Sequence, residues 1–321
     1  MRSDRRRWIL SAASASLLPV RSAGAQAAAF VPQALPVERI AAERLGEGAD
    51  AQPLRKPVPS SGELLPVVGL GTARRYDETS PTLRETLAHF AGSGGRVVDT
   101  APSYGRAETV IGSIVEEAGL RDRLFLATKV AANGREAGRA QIEESFRRLR
   151  TPRIDLVAVH NLRDVDTQLA TLRQLKAEGR IRYVGITTSF DSQYQDFERV
   201  MQRERLDFIQ VDYALDNRGA AERILPLALD RGMASMINLP FGRGRLFGTV
   251  QGRPLPEWAA DIGCTSWAQL FLKYIVSHEA VVCAIPGTAR PEYALDNAAA
   301  ARGPMPDAAE RRRMERFVDA L

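Results

Sequence analysis

The sequence predicts an α/β domain in which eight parallel strands, each followed by a helix, close into a (β/α)8 barrel of the TIM type. Three observations carry this. Eight short apolar runs alternate with helical patterns along the chain, which favours a parallel sheet with helices packed outside it. Their number favours closure over an open doubly wound sheet, and about 260 residues is a usual size for such a barrel. The first run continues into Gly69-Leu70-Gly71-Thr72-Ala73-Arg74, which lacks the third glycine of a dinucleotide-binding first turn in an open sheet.

The elements follow in order. Residues 1–27 read as a targeting segment. Arg5-Arg6-Arg7 precede Trp8-Ile9-Leu10, and a mildly apolar, Ala- and Ser-rich stretch runs to Val20. Ala23-Gly24-Ala25, or Ala25-Gln26-Ala27, supplies a small-residue cleavage site. The apolar run is too short to span a bilayer. The segment therefore reads as a twin-arginine export signal. It implies a precursor that folds in the cytoplasm, engages the twin-arginine export machinery and ends in the periplasm with no stable membrane span. Residues 28–53 hold many Pro, Ala and Gly; one short helix is expected over 37–45, and the rest reads as an arm or linker.

The barrel is expected over residues 54–321. Its strands are the apolar runs 66–70, 95–99, 124–128, 155–159, 181–186, 207–211, 233–237 and 281–284. The helical patterns between and after them cover 79–92, 106–118, 139–149, 165–178, 191–202, 219–231, 266–277 and 290–300. An extra helix is expected over 307–320.

Charge excludes one class of function. The chain carries +5, but residues 1–25 hold five arginines against Asp4 and so account for +4 of it. The mature chain is close to neutral, and the basic composition makes no case for nucleic acid. Two cysteines, Cys264 and Cys283, and three scattered histidines give no metal-ligand spacing. No disulfide is assigned, because Cys283 falls in an expected core strand.

Chemistry concentrates at three strand ends. The run Arg96-Val97-Val98-Asp99 ends on a carboxylate, and strand alternation puts Val97 and Asp99 on one face. A buried carboxylate needs a cation or several donors. Lys129 ends the next strand 30 residues on, and His160 the one after it, 31 residues further. That spacing is one strand, one helix and two loops. Neighbouring strands lie about 4.8 Å apart, so the three side chains converge, with Tyr104 in the loop above Asp99. The chain has only four lysines beside forty arginines, so a lysine at this point is not background.

These residues resemble the aldo-keto reductases: Asp-x-Ala-x-x-Tyr-Gly from Asp99 to Gly105, Lys129, and His160-Asn161. The segment SGELLPVVGLGT over 61–72 is similar to that family's N-terminal hairpin and first strand. Ile285-Pro286-Gly287-Thr288 is similar to its nucleotide-phosphate segment. The resemblance covers residues 54–301. It implies the same barrel, carbonyl reduction, and a nicotinamide cofactor, NADP(H) with NAD(H) as the alternative. It places Gly71 and Thr72 among the cofactor contacts. Thr187 and Thr188 stand where the family has Ser-Asn on the nicotinamide amide, and Gln210 where it has a carboxamide-binding glutamine. Asn238 stands where it has an aromatic that stacks on the nicotinamide; Phe241 and Tyr213 are the candidates to replace that ring. The loop Gly242-Arg243-Gly244-Arg245 suits a pyrophosphate, its glycines letting backbone N–H groups approach and either arginine supplying charge. Gly287, Thr288 and Arg290 open a helix that suits a phosphate, Arg290 being the candidate for the 2′-phosphate. Asp296 and Asn297 fall where the family contacts adenine.

The implied reaction reduces an aldehyde or ketone, or oxidises the corresponding alcohol. Tyr104 is the proton donor, Lys129 favours its phenolate, Asp99 holds Lys129, and His160 orients the substrate oxygen. The alternative is a non-turnover dinucleotide binder that reports redox state to a partner.

Overall fold

The computed structural model describes residues 52–73 and 75–321. The expected export signal and the arm up to residue 51, with its short helix, lie outside the described residues.

An antiparallel hairpin comes first: β1 (Arg55–Pro57) pairs with β2 (Leu64–Pro66), Arg55 opposite Pro66 and Pro57 opposite Leu64. Eight parallel strands follow: β3 (Leu70–Gly71), β4 (Val97–Asp99), β5 (Phe125–Val130), β6 (Ile154–His160), β7 (Ile181–Thr187), β8 (Phe208–Asp212), β9 (Ala234–Asn238) and β10 (Val281–Ala284). Each is bonded to its neighbour in sequence order. Bridges Val68–Ala284 and Gly71–Gly287 join the two ends into a ring. At that seam Gly69 N–H donates to Ala284 O at 2.8 Å and Gly71 N–H to Pro286 O at 3.0 Å. Only glycine fits at 71, because a Cβ would stand 2.9 Å from Ile285 O.

The helices are α1 (Pro81–Gly92), α2 (Ala107–Glu117), α3 (Arg135–Arg148), α4 (Val165–Ala177), α5 (Tyr194–Arg203), α6 (Ile224–Asp230), α7 (Arg245–Thr249), α8 (Trp267–Val276), α9 (Pro291–Ala299) and α10 (Ala308–Asp319). The period-two alternation of the strands divides the core into two layers. Val98, Leu126, Val157, Ile186, Ile209 and Ile237 face the helices. Val97, Phe125, Leu156, Tyr183, Phe208 and Met236 fill the barrel interior. Within it the rings of Phe125, Tyr183 and Phe208 lie 5.3–5.8 Å apart. Val58 and Leu65 of the hairpin region belong to the same cluster, so the hairpin plugs the end where the strands begin. The other end is left open for chemistry.

Three departures from the sequence reading have local causes. The helix expected over 219–231 breaks into a 3-10 turn (Gly219–Ala221) and α6. Pro226 has no N–H to donate, so the helix restarts with Pro226 in its first turn, where no donor is required. α3 begins at Arg135, four residues before the expected start. Gly138, a poor helix former, sits in its first turn because Gln168 Oε1 lies 2.0 Å from where a Cβ would be. The short β1 and α7 carry too few residues to show a period.

Candidate active site

The open end gathers the side chains that terminate β4, β5 and β6. Register pairs Asp99 with Ala127 and Lys129 with Ala158, so each chemical residue is the last inward-facing position of its strand. Lys129 Nζ donates to Asp99 Oδ1 and Oδ2 at 2.9 and 2.7 Å and to Thr100 O at 2.8 Å, which uses all three of its donors. Both residues are buried. Asp99 Oδ1 takes a further bond from Gln210 Nε2 at 2.9 Å, and Gln210 Oε1 accepts from Thr187 Oγ1 at 2.8 Å. The expected ends of β4, β5, β7 and β8 thus form one hydrogen-bonded chain.

Tyr104 lies above this chain, half-buried, with Lys129 Nζ 5.1 Å from its ring centroid. Burial opposes the charge on Lys129, but Asp99 and Tyr104 outweigh it and hold the lysine pKa above its ordinary value. His160 meets Tyr104 edge to face, centroids 6.2 Å apart. Burial first, then the Lys129 charge, pushes His160 down to about 4, so its imidazole is neutral near pH 7.

The loop after His160 is fixed by backbone in the left-handed region, with Asn161 at φ 51° and Leu162 at φ 57°. Gln193 ties that loop to the end of β7: its Nε2 donates to Asn161 O at 3.1 Å, and its Oε1 accepts from Thr188 Oγ1 at 2.6 Å. Thr188 is therefore turned away from the barrel axis, and its carbonyl accepts from Asn238 Nδ2 at 2.9 Å. Asn238 Oδ1 is buried with no partner among the described residues.

Three adjoining cavities run across this end. The first, about 410 Å³, lies over Tyr104 and His160. The second, about 460 Å³, shares Tyr104, Asn238 and Arg243 with it and extends over Gly71, Thr72, Asp99, Gly244 and Gly287. The third, about 420 Å³, shares Phe241, Phe247 and Gly287 with the second and ends at Thr288, Asp296 and Asn297. Together they form a groove long enough to take an extended molecule.

Most of the sequence-selected residues line this groove, though not all with free side chains. Arg243 has no ion-pair partner among the described residues and lines the first two cavities. Arg245 pairs with Asp216 at 3.0 Å, which also packs against Gly242. Arg290 is exposed, pairs with Glu292 at 2.8 Å and stacks on Tyr293. Asp296 accepts from Ser266 Oγ and Gln269 Nε2, both at 2.7 Å, so it fastens the start of α8. Of the two candidate rings, Phe241 lines the groove; Tyr213 is stacked in the core on Tyr274, 5.7 Å away. Two site residues carried no signal in the reading of the sequence. Gln193 acts by bridging two loops, and Asp77 stands at the mouth beside Gly105, where a Cβ would meet its Oδ1 at 2.7 Å. The position of Asp77 in the loop after β3, on the catalytic face of a barrel, was the cue available.

The chain matches the Aldo/keto reductase family over residues 67–312, more than half its length. It is 33% identical over 181 residues to the aldo-keto reductase YhdN of Bacillus subtilis, a match covering 52% of this chain and 54% of that protein. It is 24% identical over 220 residues to the NADH-specific methylglyoxal reductase of Escherichia coli, covering 60% of this chain and 66% of that one. The matches thus span about half and just under two thirds of these curated relatives. Among solved structures, an aldo-keto reductase from Klebsiella pneumoniae in complex with NADPH superposes with a TM-score of 0.70 at 29% identity, covering 83% of this chain and 95% of that one. With strands, seam and strand-end side chains in place, the family match settles the assignment: this chain belongs to the aldo/keto reductase family.

Proposed function

We propose that the protein is an NAD(P)H-dependent oxidoreductase, using NADP(H), that interconverts an aldehyde or ketone and its alcohol. The observation that carries this is the convergence of Asp99, Lys129, Tyr104 and His160 at one cavity. The NADPH held by the Klebsiella pneumoniae relative supports the choice of cofactor.

The residues of the groove fit a dinucleotide. Asn238 Oδ1 is a buried acceptor without a donor among the described residues, as a carboxamide N–H requires. Gly244 and Gly287 leave open space where a side chain would obstruct a phosphate. Arg243, without an ion-pair partner among the described residues, offers a guanidinium beside them. Thr187 and Gln210 line the cavity over Tyr104, while Thr288 and Asn297 line the far one. When bound and reduced, the nicotinamide supplies the hydride.

The chain's own groups do the rest. Tyr104 donates a proton to the carbonyl oxygen as charge develops there. Lys129 keeps a positive charge 5.1 Å from that ring, and Asp99 holds it in place. Neutral His160 gives a hydrogen bond to the same oxygen without competing for the proton. In the oxidative direction the proton returns to Tyr104. The test is NADPH consumption against a panel of aldehydes and ketones. Carbonyl-dependent oxidation supports the reading, whereas tight NADPH binding with no oxidation by any carbonyl would match the non-turnover binder instead.

The compartment is part of the same proposal. Arg5-Arg6-Arg7 and the small-residue site before Gln26 support export through the twin-arginine route to the periplasm. Reduced dinucleotide is not expected to be regenerated there. The protein would then be loaded before export and keep its cofactor, recycling it between two substrates.

A further inference from the structure

A second concave site lies where the strands begin, at the end of the barrel away from Tyr104. It opens between Ser60 in the hairpin turn, the C-terminal half of α4 and the segments that lead into β8 and β9, and its volume is about 640 Å³. Cations dominate its walls: Arg173, Lys176, Arg205 and Arg231 stand against two carboxylates, Asp207 and Asp230. Part of this charge is engaged in the fold. Lys176 Nζ donates to Asp207 Oδ2 at 2.6 Å, and the same oxygen accepts from Val184 N–H at 2.8 Å. Arg173 pairs with Glu204 at 2.6 Å, a carboxylate that Arg203 also holds at 2.9 Å. Arg205 and Arg231 differ. Both are exposed. Arg231 Nη2 donates to the carbonyl of Glu204 at 3.4 Å and meets no carboxylate among the described residues. The Arg205 side chain has no hydrogen-bond or ion-pair partner among them, and neither have Asp230 and the Ser60 hydroxyl.

The register of the sheet explains why these two arginines share one cavity. β8 and β9 pair with Phe208 opposite Ala234, and Arg205 and Arg231 each stand three residues before that pair. They enter from adjacent strand starts, and neighbouring strands lie about 4.8 Å apart. Two like charges so placed repel each other, and an anion between them removes the repulsion. A guanidinium is also a planar fork of donors that matches phosphate oxygens. We propose that this cavity binds a small phosphate monoester, at a site separate from the reacting groove. The phosphate takes the forks of Arg205 and Arg231, with Arg173 adding charge beside them. The body of the ester carries hydroxyls, which donate to Asp230 and exchange a hydrogen bond with Ser60. A cavity of about 640 Å³ leaves room for that body beyond the phosphate. Asp230 repels an anion that brings no donor, so it favours the ester over bare phosphate.

The test is calorimetry with glycerol 3-phosphate, inorganic phosphate and glycerol at constant ionic strength. NADP is present in excess, so that phosphate positions in the groove are filled. Glycerol 3-phosphate should bind more tightly than phosphate, and glycerol should give no heat of binding. Arg205→Gln removes an exposed side chain that bonds to nothing else among the described residues, so the fold should be kept. It should weaken glycerol 3-phosphate by about 10-fold or more, the usual worth of a hydrogen bond to a charged group, and Arg231→Gln should do the same. Asp230→Ala should narrow the gap between the two phosphate probes. Arg135→Gln removes the same charge from the exposed start of α3 and should leave both affinities unchanged. None of these residues lines the groove, so the outcome stands apart from the reductase reading. Absence of binding by both phosphate probes would overturn the proposal. So would affinities that stay the same in both arginine variants of the cavity, or that fall equally in Arg135→Gln. Inorganic phosphate binding as tightly as the ester would overturn the assignment of a hydroxylated monoester.

Discussion

Lys129 grips both carboxylate oxygens of Asp99, at 2.9 and 2.7 Å, in a place where both residues are buried. Two charges so placed stabilise each other but leave a large penalty when one is removed. Lys129→Met should cost about 3–5 kcal/mol, the usual loss when a buried pair is broken. The same change removes the positive charge below the Tyr104 ring, so activity should fall as well. Thermal melting and the pH–rate profile are the measurements. A variant with neither altered would show that the pair does not contribute.

His160 gives a pH prediction. Its folded pKa is about 4, below the ordinary 6.5, so the unfolded chain binds the proton more readily. Its contribution to stability is therefore whole above pH 6.5 and is lost as pH falls towards 4. His278 is also pushed down to about 4, mainly by burial, so the effect of one histidine must be read as a difference. Urea midpoints of the protein and of His160→Gln should converge as pH falls from 7 to 4.5. Parallel curves would contradict a half-buried neutral imidazole.

The barrel and its strand-end residues were legible because both follow from spacing. Asp99, Lys129 and His160 are separated by one strand–helix unit each, and inward parity is fixed by a period of two. The outlying parts depend on contacts between residues far apart in sequence, which periodicity does not encode. Arg245 pairs with Asp216, 29 residues away, and in a chain of forty arginines nothing in the local sequence singles that pair out. Asp296 reads as an adenine contact from its place after strand β10, but its bonds from Ser266 and Gln269 in the preceding helix region could not be read from that place. Gln193 bridges Asn161 and Thr188 across two loops, a role that exists only once the strands are side by side.

Cofactor retention is the prediction that joins the N-terminus to the barrel. Protein recovered from the periplasm and desalted extensively should carry close to one nucleotide per chain. Changing Arg5, Arg6 and Arg7 to lysine should leave the protein in the cytoplasm. Protein that arrives empty and binds added dinucleotide only weakly would rule out retention, and export that survives the three changes would rule out the twin-arginine route.

The central claim is that Tyr104 delivers the proton. Its most direct test is single-turnover oxidation of bound NADPH by an aldehyde, in the protein and in Tyr104→Phe. The phenylalanine keeps the ring beside His160 and removes only the hydroxyl. NADPH affinity should stay within a few fold, and the rate should fall by about 10²–10⁴, the usual contribution of general acid catalysis. A variant that oxidises NADPH at the original rate with the same aldehyde would show that Tyr104 is not the acid.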